Sequence, residues 1–173
     1  MHLTFLSRII GKQPARRALQ PLYAAIVEGA RDPLWYRDCA VPDTIDGRFD
    51  MIAAVLALVL LRLESDADGR TEQAIVLITE TFVDDMDGSL RQLGIGDLMV
   101  GKHVSKMMGA LGGRLSAFRD AGALDAAVAR NIFHDAPPNP EVTRLTAERL
   151  EAFRAALRQT ATEALLAGRM PRP

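Results

Sequence analysis

Apolar residues recur at every third or fourth position along almost the whole chain, and no segment alternates strictly between apolar and polar residues. This period is that of amphipathic helices, in which such positions form one stripe. The pattern therefore predicts an all-α fold, a single compact multi-helix domain of about six to eight helices. The predicted stripes lie within residues 19–27, 49–63, 75–86, 100–118, 124–132 and 145–165, with a short helix at 34–36.

Proline, glycine and capping residues set the predicted ends of these helices. The first clear helix should begin near Pro14, because proline fits a first turn, and should end near Ala30. Thr71 and Asp97 are the expected N-caps of the third and fourth long helices. The last helix should run without a break to about Gly168, since glycine commonly ends helices.

The N-terminal segment differs from the rest in charge, because residues 1–27 contain no acidic side chain. Basic and apolar residues interleave at helical spacing, which predicts a basic amphipathic arm at 1–13 followed by an all-helical domain at 14–173. Residues 1–17 could contact an anionic membrane surface or a ribosome. The alternative is a short helix packed on the domain, or a frayed end. The residues concerned are Leu3, Leu6, Arg8, Ile9, Ile10, Lys12, Arg16 and Arg17.

Composition limits the classes of protein to consider. A sequence of 173 residues with 49% hydrophobic content can form one core. The longest apolar run, Met51–Leu61, is shorter than the roughly 20 residues of a bilayer span and predicts a buried helix. Cys39 is the single cysteine, and the three histidines lack metal-ligand spacing. We therefore predict no disulfide, metal, cofactor or specific nucleic acid.

Motifs typical of enzymes are incomplete. Gly96–Lys102 has the spacing of a phosphate-binding loop, but His103 stands where serine or threonine should bind magnesium. The acidic segment Asp84–Asp87 lacks the glycine and glutamate of a calcium loop. Its aspartates could act as caps and local ion pairs, or as an acidic docking patch. A small helical metal-dependent enzyme that uses this segment remains the alternative function; otherwise no enzyme is predicted.

Several separated segments, in a fixed order, carry a family resemblance over about Leu19 to Phe133. They are Val41–Asp50, Asp85–Asp87, Leu90–Arg91, Gly94–Asp97, Val100–Lys102, Gly113–Arg114 and Arg130–Asn131. Together they resemble the ubiquinol-cytochrome c chaperone family. Two departures stand out. Ala53-Ala54-Val55 replaces a segment in which the family usually has a histidine, and Gly112 stands where an aromatic residue usually precedes the Gly-Arg pair.

This resemblance implies an all-helical assembly factor for the cytochrome bc1 complex. Mitochondrial members bind newly made cytochrome b near the ribosomal exit, so the implied client is cytochrome b, with a small co-chaperone as a further partner. A bacterial relative would act in the cytoplasm, peripherally at the cytoplasmic face of the inner membrane, and a eukaryotic one at the mitochondrial matrix side.

The helix after Asp97 offers a candidate contact surface. A helical wheel places its apolar stripe around Leu111 and puts Lys102, Lys106, Gly109 and Gly113 on the opposite side. Glycine inside a helix costs roughly 1 kcal/mol of stability relative to alanine. We expect that these glycines are present because another helix packs closely against them. The approaching helix could belong to the client or to this domain. All partner-binding candidates are Asp43, Asp46, Arg48, Asp50, Asp85, Asp87, Arg91, Asp97, Lys102, Lys106, Gly109, Gly113 and Arg114.

Overall fold

The computed structural model describes residues 3–66, 68–119 and 124–173, with side chains from residue 13 onward except Leu98. Within these ranges the protein forms eight α-helices and no strand, which confirms the predicted all-α class and helix number. The helices are α1 (Leu3–Ala30), α2 (Pro33–Arg37), α3 (Ile45–Glu64), α4 (Gly69–Gln92), α5 (Asp97–Arg119), α6 (Asp125–Asn131), α7 (Pro140–Gln159) and α8 (Thr162–Leu166).

Helix α3 is the centre of the core. Every residue from Met51 to Leu60 is buried, as expected for a segment without a charged side chain. Helices α1, α4, α5 and α7 pack around it. Among the described helices, none combines the length and apolarity needed to cross a bilayer.

Two aromatic residues of α2 fasten this short helix to the end of α1. Trp35 is fully buried, and its indole Nε1–H donates to the carbonyl oxygen of Gly29 at 2.9 Å. The Tyr36 hydroxyl donates to the carbonyl oxygen of Ala30 at 2.9 Å. These bonds satisfy carbonyls at the end of α1, and both rings therefore anchor α2 to that helix.

The N-terminus of α3 requires glycine. The Thr44 hydroxyl caps the helix by accepting the Gly47 backbone N–H at 3.1 Å. A Cβ atom at Gly47 would lie 2.0 Å from the carbonyl oxygen of Pro42. The backbone of the preceding loop therefore occupies the space that any side chain would need.

The predicted start of the first helix is wrong. Helix α1 begins at Leu3 and passes through both Pro14 and Pro21, so neither proline marks its first turn. A proline removes only one backbone N–H, and a 28-residue helix retains enough other hydrogen bonds to continue. The amphipathic face predicted for residues 1–13 falls almost entirely on side chains outside the described set, and the division at residue 13 stays a prediction.

Three other predicted boundaries shift. The cap of α4 is Asp68, and Thr71 completes a capping box from the third helical position. The Gly96 carbonyl accepts the Val100 N–H at 3.1 Å, so Asp97 is the first residue of α5 and not its cap. The last segment, predicted as one helix, forms two helices, because extended backbone at Thr160 separates α7 from α8.

Candidate functional site

Helix α5 presents a face that the rest of the described structure leaves uncovered. Its residues Val100, Leu111 and Phe118 are buried, and the opposite side is exposed, as the helical wheel predicted. We call the following exposed residues on the side opposite Leu111 the α5 face. It consists of Met99, Lys102, Ser105, Lys106, Gly109, Gly112, Gly113 and Ser116.

The glycines of the α5 face have open space around them. A Cβ atom built at Gly109, Gly112 or Gly113 meets no described atom within 4 Å. The interpretation that these glycines admit a neighbouring helix of the same domain is therefore wrong for the described residues. Their cost to helix stability has no compensating packing within those residues.

The spacing along this face is that of a helix-packing surface. Small and flexible residues follow one another at intervals of three and four, as along the contact line of two helices that cross at a shallow angle. Glycine and serine on such a line let two backbones approach closely. The line comprises Met99, Lys102, Lys106, Gly109, Gly113 and Ser116.

The charge on this face lies at the N-terminal end of α5. Lys102 and Lys106 are exposed, and neither forms an ion pair with a described residue. They are separated by one helical turn, so both ammonium groups are available to an anionic partner.

The acidic segment before α5 pairs largely with side chains of this protein. The Asp84 carboxylate lies 2.5 Å from Arg16, and Asp85 accepts the Tyr23 hydroxyl at 2.8 Å. Arg91 binds Asp87 at 2.6 Å and also binds Asp97. These partners favour the interpretation as local ion pairs over the acidic docking patch.

The neighbours of these residues shift two pKa values upward. Hydrogen bonds to Asp87 and then Asp97 raise the pKa of Arg91. Burial, followed by the hydrogen bond to Asp85, raises the pKa of Tyr23. Both groups keep their protons at neutral pH and hold the aspartates in place.

The segment around the N-terminus of α3 divides into exposed and buried parts. Arg48 binds Asp43 at 2.6 Å on the surface, and its hydrogen bond lowers the pKa of that carboxyl group. Asp46 is exposed and forms no ion pair with a described residue, whereas Asp50 is only 8% exposed.

Asp50 and Arg114 were predicted to bind a partner, which requires exposed side chains. Instead, the two side chains form an ion pair in the interior. Arg114 is 2% exposed, and its Nη2 group donates both to Asp50 Oδ1 and to the carbonyl oxygen of Asn131. His134 Nε2 lies 2.8 Å from the other oxygen of Asp50. The cluster joins α3, α5 and the end of α6, so we assign Asp50 and Arg114 to holding these elements together.

Sequence reasoning did not identify His134 and Asn131 as partners of this cluster. The only signal was that the Asp50, Gly113–Arg114 and Arg130–Asn131 segments all belong to the family resemblance. Burial lowers the pKa of the Arg114 guanidinium, and Asp50 opposes that shift, first through its charge and then through the hydrogen bond.

The described side chains do not form a metal-binding site. Within residues 3–66, 68–119 and 124–173, no three of His, Cys, Asp and Glu converge as they would around a metal ion. The aspartates named for a metal-dependent enzyme are instead held by arginine or tyrosine. Nothing in these residues supports that alternative.

Comparison with known proteins supports the family resemblance that the sequence segments indicated. No curated protein has a sequence that matches this one. The crystal structure of the Cbp3 homolog from Brucella abortus superimposes with a TM-score of 0.76 at 31% sequence identity, covering 100% of this chain and 97% of that one. The sequence profile described as ubiquinol-cytochrome C chaperone matches residues 37–172. The chain therefore belongs to the ubiquinol-cytochrome c chaperone family.

Proposed function

We propose that this protein binds newly made cytochrome b and assists the biogenesis of the ubiquinol-cytochrome c reductase (bc1) complex, with the α5 face as its contact surface. The observation that carries the choice of surface is the open space over Gly109, Gly112 and Gly113. Family membership supports the chaperone role, and the packing of α5 supports the position of the contact.

A helix of a membrane protein fits the chemistry of the α5 face. Helices of membrane proteins associate through close backbone packing against small residues, because in lipid an apolar contact with another helix gains little over contact with lipid tails. Glycines 109, 112 and 113 offer that approach. Lys102 and Lys106 would meet acidic groups or headgroups at the end of the client helix.

The remaining partners belong to the same proposal. Residues 1–17 would bring the chaperone to the ribosome or to the inner membrane, on its cytoplasmic face in a bacterium and on the matrix side in mitochondria. A small co-chaperone is a further partner that the family suggests.

The first test replaces Gly109 by leucine. Because no described atom lies within 4 Å of a Cβ there, Gly109→Leu should fold normally while its side chain blocks a close helix approach. Co-purification of cytochrome b from membranes that synthesise it should fall strongly. Gly88→Leu is the matched control, since Gly88 lies inside α4 with equally open space.

The second test reverses charge with Lys102→Glu and Lys106→Glu in one double variant. Exposed charge changes usually alter stability by about 0.5 kcal/mol or less, whereas they slow a steered association in a salt-dependent way. Client capture should therefore decrease most at low ionic strength. Normal capture by this variant and by Gly109→Leu would show that the α5 face does not bind the client.

A further inference from the structure

A cleft of about 310 Å³ opens between α3, α5 and the end of α6. Phe49, Met107 and Ala110 form its apolar wall, and the buried pair of Asp50 and Arg114 forms part of its lining. The other lining residues are Asp46, His103, Lys106, Arg130, Asn131 and His134.

The guanidinium of Arg114 has N–H donors that form no hydrogen bond with a described residue. Both of its internal hydrogen bonds come from Nη2, and no described residue accepts a hydrogen bond from Nε or Nη1. An arginine carries five N–H donors, and leaving buried donors without acceptors costs free energy. A side chain that is 2% exposed and lines a cleft is therefore short of an acceptor.

Two more cations stand at the cleft without a partner among the described residues. Lys106 and Arg130 are exposed and form no ion pair with described residues. Counting lysine, arginine and aspartate alone, the three cationic side chains of the lining outnumber its carboxylates, Asp46 and Asp50, by one charge. A ligand with a single negative charge would balance the cleft.

We propose that this cleft binds a carboxylate of a polypeptide, supplied either by an acidic residue or by a C-terminus. A carboxylate oxygen can accept from Nη1 of Arg114, which the internal hydrogen bonds do not use, and one negative charge matches the surplus. Phe49 and Met107 would cover the methylene groups beside the carboxylate. The assignment does not depend on cytochrome b being the client.

The test is an NMR titration of the full-length protein with small probes. N-acetyl-leucine represents a C-terminus, the α-amide of N-acetyl-glutamic acid represents an acidic residue, and N-acetyl-leucine amide is the uncharged control. At least one carboxylate probe should shift the amide signals of Met107 and Ala110, and the one that does identifies the source. Equal shifts with the uncharged amide, no shift with either acid, or tighter binding of inorganic phosphate would each overturn the proposal.

Variants test whether the cations that line the cleft bind the probe; Lys106 belongs to both the cleft and the α5 face, and Arg130 belongs to the cleft alone. Lys106→Gln and Arg130→Gln should each weaken binding of the carboxylate probe roughly twofold to fivefold. Lys102→Gln is the matched control, because Lys102 lies one turn away and does not line the cleft. Equal weakening by all three variants would contradict a specific site. The probes need no client, so loss of this proposal leaves the Gly109→Leu test unaffected.

Discussion

At the scale of single residues, two glycines of the same protein should respond oppositely to the same substitution. Gly47→Ala places a Cβ atom against the Pro42 carbonyl, so we expect about 1–3 kcal/mol of destabilisation from overpacking. Gly88→Ala adds a Cβ in open space inside α4 and should stabilise by up to about 1 kcal/mol. Urea denaturation of both variants measures the difference, and equal effects would contradict the packing described at Gly47.

The interior ion pair gives a second prediction at this scale. Asp50→Ala leaves the Arg114 charge buried without its counter-ion, which should cost about 3–5 kcal/mol. Asp43→Ala removes an exposed pair with Arg48 and should change the urea midpoint little. A mild Asp50→Ala variant would show that Arg114 finds another partner or water in the folded protein.

At the scale of elements, the cap of α4 predicts a pH dependence. Backbone hydrogen bonding from Thr71 is the main cause that lowers the pKa of Asp68. A lowered pKa means that the charged cap stabilises the fold above the unfolded value of about 3.9, and that this contribution disappears as pH falls through the folded value. Asp68→Asn keeps a neutral cap, so its urea midpoint should lie below that of the wild type at pH 6. The two midpoints should begin to converge as the pH falls below about 3.9 and should meet below the lowered folded pKa of Asp68. A constant difference down to pH 2 would contradict a charge effect.

The elements also show what sequence reasoning can and cannot supply. Period and turn chemistry predicted α2 to α6 within a few residues, because an apolar stripe and its flanking polar residues are local features; the cap of α4 is Asp68 and not the predicted Thr71. The predicted helix start at Pro14 was wrong, because whether a helix tolerates an internal proline depends on the hydrogen bonds and packing of its other residues. The helical wheel predicted the exposed side of α5 correctly, because the position of its single apolar stripe determines which side of the helix faces the core.

The cluster of Asp50, Arg114 and His134 lay beyond such reasoning. Its members are 64 and 84 residues apart, measured from Asp50. Charge and spacing identify a residue as polar but do not tell whether a distant side chain will bury it. The packing of α3 against α5 and of α6 against α5 brings them together.

At the scale of the whole molecule, the N-terminal arm should be separable from the folded domain. Leu22 and Ile26 are buried, so the second half of α1 packs into the core. Deleting residues 1–13 should therefore preserve the helicity of the remainder while reducing association with membranes or ribosomes at low salt. Circular dichroism and sedimentation at two ionic strengths measure both effects. Unchanged association at low and high salt would contradict the role of the arm.

Cys39 gives the molecule a built-in reporter of its own opening. The thiol is the single one in the sequence, it is fully buried, and burial raises its pKa. The Thr146 hydroxyl donates to the Cys39 carbonyl oxygen at 3.3 Å, so the site joins the loop after α2 to α7. A disulfide reagent at pH 8 needs both access and a thiolate, so labelling should proceed only through transient unfolding. A client that binds only the folded protein would slow that labelling in proportion to its occupancy, which turns one native sulfur atom into a measure of binding without any introduced probe.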